Sequence, residues 1–150
     1  MHNHTYGIEG QTAPEWDDIT QWFHLEKGKT QLKISDIETP VIYMYNFQSW
    51  CPGCHSHGFP TMAQVRSEVD PAAATFVAIQ TVFEGHEVNT VDKALESVAK
   101  HGLDDIALGH DPGAAGQPPS VMRNYRTGGT PWAVLIGPDR KVLFNGFQLD

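Results

Sequence analysis

Cys51 and Cys54 are the only thiols in the chain, and they stand two residues apart in Trp50-Cys51-Pro52-Gly53-Cys54, just after the apolar run Val41 to Phe47. A pair at this spacing can close a short disulfide. One sulfur can attack an external disulfide, and the other can then resolve the mixed product. The run before the pair is β-branched and aromatic, and a helical pattern follows Pro52, so the pair is expected where a buried strand feeds a helix. There the first backbone N–H groups are unpaired and carry the positive end of the helix dipole, which favours a thiolate over a thiol. Cys51 is therefore read as the exposed nucleophile, and Cys54, one turn further in, as the shielded resolving thiol. Pro52 suits the first turn, where its missing N–H leaves no bond unmade.

Other readings of the same residues stand beside this one. Two cysteines three positions apart can be apolar filler. Cys51-Pro52-Gly53-Cys54-His55 matches the attachment pattern of a c-type haem, and Cys51, Cys54, His55 and His57 count as four possible metal ligands. The haem pattern usually accompanies a small helical chain and export, whereas here it follows a β-run and no signal segment is read. Ligands from a single helical turn rarely close a tetrahedron. The expectation is no metal and no dissociable cofactor, with the Cys51–Cys54 disulfide as the redox element.

The rest of the chain must position that pair. Its 150 residues, 40% hydrophobic with a mean hydropathy of −0.35, fit one soluble domain with a single core over 1–150. A net charge of −8 argues against nucleic acid or an anionic membrane surface as partner. No basic leader with an apolar core opens the sequence, and no uncharged apolar run reaches a membrane-spanning length, so a cytoplasmic protein is expected, or a periplasmic one if a leader was removed. Residues 1–12 are expected to be a mobile segment.

Along the chain, residues 19–24 and 30–34 alternate in polarity around the turn at Glu26-Lys27-Gly28-Lys29, which predicts an N-terminal β-hairpin at a sheet edge. After Cys54 a helix to about Val69 contains Pro60, which should remove one hydrogen bond and bend it. Then come a strand over 75–83, a helix from Thr90 to His101 closed by Gly102, and a short strand at Ile106-Ala107-Leu108. A breaker-rich loop over 111–119, a helix from Ser120 to about Arg126 and an antiparallel hairpin over 131–144 complete the series.

Trp50-Cys51-Pro52-Gly53-Cys54 after a buried strand, Gly129-Thr130-Pro131 opening a later one, and Val134-Leu135-Ile136-Gly137-Pro138-Asp139-Arg140-Lys141-Val142 together resemble the thioredoxin superfamily. The N-terminal Ala13-Pro14-Glu15-Trp16 and the helix inserted between the second and third core strands look most like its TlpA-like and redoxin branch. The resemblance spans about residues 13 to 147. It implies an α/β fold, a three-layer α/β/α sandwich around a central mixed sheet, and a thiol-disulfide oxidoreductase acting on protein disulfides with a recycling thiol reductant or oxidant. It also implies that Cys51 and Cys54 are catalytic. Trp50, Pro52, Gly53, His57, Thr130 and Pro131 would line or tune the site. Pro131 would be the family's cis-proline, turning the Thr130 backbone toward the sulfurs as an edge for an extended substrate; otherwise it is an ordinary trans proline at a strand start.

The departures from the family pattern carry information. Relatives place a carboxylate six residues before the nucleophile or three after the second cysteine, and this chain has Tyr45 and His57 there. His57 could accept a proton from Cys54, or it could be a solvated surface histidine. The helix proline falls one residue later than in relatives, an insertion that a bulge near Gly58 could absorb. Relatives usually add a final helix, so here one sheet face would be covered by the N-terminal segment or by a second copy in a homodimer. A peroxidase is the alternative activity, disfavoured because Gln48 stands where peroxiredoxins place a threonine. A metal-binding module using Cys51, Cys54 and nearby histidines is the other alternative, and a non-catalytic binding module is weakened by the retained cysteine pair.

Overall fold

The β-branched and aromatic run before the cysteines is the central strand of the computed structural model, which describes residues 6–113 and 117–147. Among the described residues six strands form one sheet: β1 (Gln21–Phe23), β2 (Val41–Phe47), β3 (Ala74–Thr81), β4 (Ala107–Asp111), β5 (Trp132–Ile136) and β6 (Val142–Gly146). Their order is β1-β4-β3-β2-β5-β6. β2 pairs parallel with β3 and β3 with β4, while β2–β5, β5–β6 and β1–β4 are antiparallel, giving the mixed sheet expected. Parallel neighbours need crossovers. These are α1 (Phe59–Glu68), between β2 and β3, and α2 (Val91–Lys100), between β3 and β4; α3 (Ser120–Tyr125) precedes β5.

Strand alternation sorts the core into two halves. Ile42 and Met44 of β2 join Val77, Ile79, Val134 and Ile136 on one face, packed with Val121 and Tyr125 of α3. Tyr43, Tyr45 and Phe47 join Phe76 and Ala78 on the other, packed with Phe59 and Met62 of α1 and Ala94 and Val98 of α2. Both faces of β2 are therefore covered, which is why it reads as a continuous apolar run. The helices on the two faces complete the three layers.

Two expectations are corrected here. The N-terminal hairpin does not form: β1 pairs antiparallel with β4, Gln21 opposite His110 and Phe23 opposite Leu108, and residues 30–33 are not a strand. His24 adopts φ 62, which breaks the extended run, and Glu15 accepts the backbone N–H groups of Ile34 and Ser35 at 2.7 and 3.0 Å, holding that end in a 3₁₀ turn, Ile34–Asp36. β1 is still an edge strand, as foreseen. The second correction concerns residues 6–12, which are docked rather than loose. Gly7 donates to Arg126 O and Gly10 to Val142 O, Thr12 bridges Lys141, and Ile8 is buried. Residues 1–5 lie outside the described residues. Ile8, Ala13, Trp16, Ile19 and Ile34 cover the α3 face of the sheet, so this segment supplies the cover that a terminal helix would give.

β4 runs beyond the predicted Ile106-Ala107-Leu108 strand, because Gln80 and Thr81 of β3 pair with His110 and Asp111. α2 matches its prediction closely: Thr90 caps it by accepting the Lys93 N–H, and Gly102 at φ +72 ends it. Among the described residues no helix is long and apolar enough to cross a membrane.

Candidate active site

The cysteines lie where β2 gives way to helix. Cys51 precedes the first helical residue, Pro52, and the Cys54 N–H donates to Cys51 Sγ at 3.1 Å. A helix-start N–H thus points at the first sulfur, as the sequence predicts. Cys51 Sγ also lies 3.6 Å from Thr130 O, and the Thr130–Pro131 bond is cis. Both cysteines are free thiols. Cys51 is more covered than foreseen, at 9% exposure, whereas Cys54 has none.

Cys54 is not an ordinary thiol. Burial pushes it from its usual value near 9 up to about 12, reinforced by hydrogen bonding with Cys51 and only partly offset by bonding to Gln48 and Tyr45. The folded state then holds this proton more tightly than the unfolded chain does. The stability it brings is complete below about 9 and is lost as pH rises toward about 12. Reduced wild-type protein should therefore lose urea stability more steeply above about pH 9 than reduced Cys54→Ser. Equal slopes would contradict the shift.

The turn that holds Cys54 is unusual. Cys54–Gly58 is π-helical, closed by the Phe59 N–H on Cys54 O, and α1 begins with Phe59 and Pro60. A π turn takes up one extra residue, so the bulge expected near Gly58 from the family resemblance takes the form of this turn. Tyr45 donates its hydroxyl to Cys54 O at 3.0 Å, and a Cβ on Gly58 would lie 2.0 Å from that hydroxyl oxygen. Glycine is thus required for the phenol to fit under the turn. Burial raises the Tyr45 hydroxyl far above its usual range, so it stays a neutral donor.

His57 is displaced from the role considered for it. It lies on the exposed outer side of the π turn, and the partner of the Cys54 turn is Tyr45 from the opposite side. His55 is turned elsewhere: its Nε2 is 2.7 Å from Ser49 O and its Nδ1 2.9 Å from His101 Nε2. A carbonyl only accepts, so His55 Nε2 carries a hydrogen. Cys51, Cys54, His55 and His57 therefore do not converge as one ligand set.

Three buried carboxamides fix the segment before Cys51; Gln80 and Asn89 were not singled out in the sequence, and Gln48 was noted there only for the threonine it replaces. Gln80 Oε1 accepts Ser49 N and Ser49 Oγ at 2.8 and 2.6 Å, while its Nε2 donates to Thr90 O at 3.0 Å. Asn89 Oδ1 accepts Trp50 N at 3.0 Å, and its Nδ2 donates to Glu84 O at 3.1 Å. Gln48 Oε1 accepts Phe83 N and Glu84 N at 3.2 and 3.3 Å, with Nε2 at 3.5 Å from Thr130 Oγ1. All three are 0–1% exposed. Their signal was available: Gln80 is a polar residue near the end of an otherwise apolar buried strand, and a buried amide must find partners.

The other predicted neighbours do gather. Pro131 faces Gly53, whose added Cβ would meet Pro131 Cδ at 3.4 Å. Trp50 is half-exposed and packs over Gly85, where a Cβ would lie 2.9 Å from its ring. Trp50, Cys51, Pro52 and Thr130 line one groove of about 490 Å³ with Phe83, Glu84 and Phe147.

No protein-family model and no curated protein matches the chain. Solved structures do. A thioredoxin-like superfamily protein is 30% identical, with a TM-score of 0.82 over 93% of this chain and 87% of its own. A thiol-disulfide isomerase from Corynebacterium glutamicum is 28% identical, with a TM-score of 0.78 over 92% and 88%. A protein named as a thiol:disulfide interchange protein, from Chlorobium tepidum, shares the fold at 24% identity and a TM-score of 0.67 over 94% and 87%. With the mixed sheet, the cysteine pair at the strand-to-helix junction and the cis-proline beside it, this likeness over nearly the whole chain shows that the protein belongs to the thioredoxin-like superfamily.

Proposed function

We propose that the protein is a dithiol-disulfide oxidoreductase that reduces or exchanges protein disulfides through Cys51 and Cys54. The observation that carries this reading is the Cys54 N–H on Cys51 Sγ at the floor of an open groove, beside the cis Thr130–Pro131 bond. The Cys51 thiolate attacks one sulfur of the substrate disulfide, forming a Cys51–substrate disulfide and releasing a substrate thiolate. Cys54, after losing its proton, attacks Cys51 Sγ, closing the Cys51–Cys54 disulfide and releasing the second thiolate. Two electrons pass to the substrate, and the two cysteine protons end on its thiols. An external dithiol restores the pair, or an oxidant drives the cycle in reverse; no other cofactor is needed.

The groove suits this exchange. Trp50, Pro52 and Gly53 surround Cys51, and the backbone at Thr130 offers an edge for an extended segment. Neutralising Cys54 by burial suits the resolving role, because a protonated Cys54 does not compete with Cys51 as nucleophile. The test is insulin reduction with dithiothreitol as donor, paired with a redox titration of the two thiols. The pair should titrate as one two-electron couple, and insulin should be reduced faster than by the donor alone. A rate equal to the donor background, or two thiols that never pair, overturns the reading.

A further inference from the structure

The groove above Cys51 has one charged lining residue among the described residues, the exposed Glu84, and it shares that groove with the aromatic residues Trp50, Phe83 and Phe147. Two of those rings are open to solvent, with Trp50 49% and Phe147 53% exposed. Buried carboxamides lock Glu84 from both sides of its backbone. Gln48 Oε1 holds its N–H at 3.3 Å, and Asn89 Nδ2 holds its carbonyl at 3.1 Å. The backbone that carries the exposed Glu84 side chain is therefore fixed, and Thr130, which lines the same groove, is tied to the same Gln48 at 3.5 Å.

A carboxylate among aromatic faces recognises a cation on an apolar stem: rings attract the charge through their quadrupoles, and the stem packs on them. The net charge of −8 points the same way, drawing cationic segments toward the protein and repelling anionic ones. We propose that this groove selects polypeptide disulfides that carry a lysine or arginine beside the attacked cysteine, with the cation at Glu84. Acidic small disulfides are disfavoured. This deepens the oxidoreductase reading and rests on it.

The test uses two synthetic disulfide-closed peptides that differ only in having Lys or Glu next to the cysteine, with dithiothreitol as donor. The ratio of kcat/KM, Lys over Glu, should be about five to ten for the wild type. It should shrink with added salt, fall toward one in Glu84→Gln and invert in Glu84→Lys. Glu87→Gln, a charge removed from the same loop outside the groove, should leave the ratio within about twofold. Turnover of both peptides at equal rates, or a ratio that Glu84→Lys does not move, overturns the selectivity while leaving the oxidoreductase reading intact. Turnover of neither peptide, with insulin also untouched, overturns both. A ratio that responds equally to Glu84→Gln and Glu87→Gln assigns the preference to overall charge and removes Glu84 from it.

Discussion

Replacing Cys51 with serine should lower disulfide turnover by about a thousandfold or more, to the background of the donor. A hydroxyl cannot form the mixed disulfide, and Cys54 cannot substitute for it. Cys54 has no exposed surface and burial raises its thiol to about 12, so it neither reaches a substrate nor competes with Cys51 as the first nucleophile. Cys51 lines the groove and accepts the Cys54 N–H, so it is the sulfur that a substrate disulfide can reach. Cys54→Ser should behave differently. Its first exchange step survives, and one substrate molecule accumulates per protein as a disulfide on Cys51, visible by non-reducing mass spectrometry. Trapping to the same level in Cys51→Ser, or turnover within tenfold of wild type in that variant, would reverse the assignment of roles.

The parts of this site legible in the sequence are those set by local rules. The strand-to-helix junction follows from an apolar run ending at Gln48-Ser49 and from Pro52; the bulge near Gly58, realised as the π turn, followed instead from the family resemblance. The cis bond at Pro131 followed from family resemblance, because nothing local distinguishes Thr130-Pro131 from a trans pair. What was not legible depends on partners far along the chain. β1 chose β4 over the nearer segment 30–34 because that segment is held by Glu15 and Trp22 packs across Gly109. His57 was considered for its position relative to Cys54, but helical phase in the widened turn carries it outward. Gln80 stands out as a polar residue in a buried strand, but the partners of Gln48, Gln80 and Asn89 were not legible, because each bonds a backbone group that only the tertiary fold brings near, Gln48 reaching Phe83 and Glu84 thirty-five and thirty-six positions away.

Gly58→Ala should be among the most destabilising single-methyl changes in this protein. The added Cβ would lie 2.0 Å from Tyr45 Oη, 2.6 Å from Cζ and 2.7 Å from Cε1, all well inside contact distance. The ring has nowhere to go. It is 1% exposed, stacked on Phe47 at 5.9 Å and edge-on to Phe59 at 4.9 Å, with its hydroxyl on Cys54 O. Relief must come from the backbone of the π turn, which moves Cys54 relative to Cys51. An overpacked core position of this kind costs about 3 kcal/mol, which for a chain of this length is roughly 6–12 °C in Tm. Thiol exchange should fall along with stability, since the resolving sulfur is carried on the displaced turn. Tyr45→Phe provides the contrast: it removes the hydroxyl bond to Cys54 O and should cost about 1 kcal/mol, with the ring still in place. Combining Gly58→Ala with Tyr45→Val, which vacates the clashing volume, should destabilise by less than the sum of the two single changes. Calorimetry on the wild type, the two single variants and the double decides the matter: a Gly58→Ala midpoint within about 2 °C of wild type, or strict additivity in the double variant, would show that the turn yields without Tyr45 and that the glycine is not needed there.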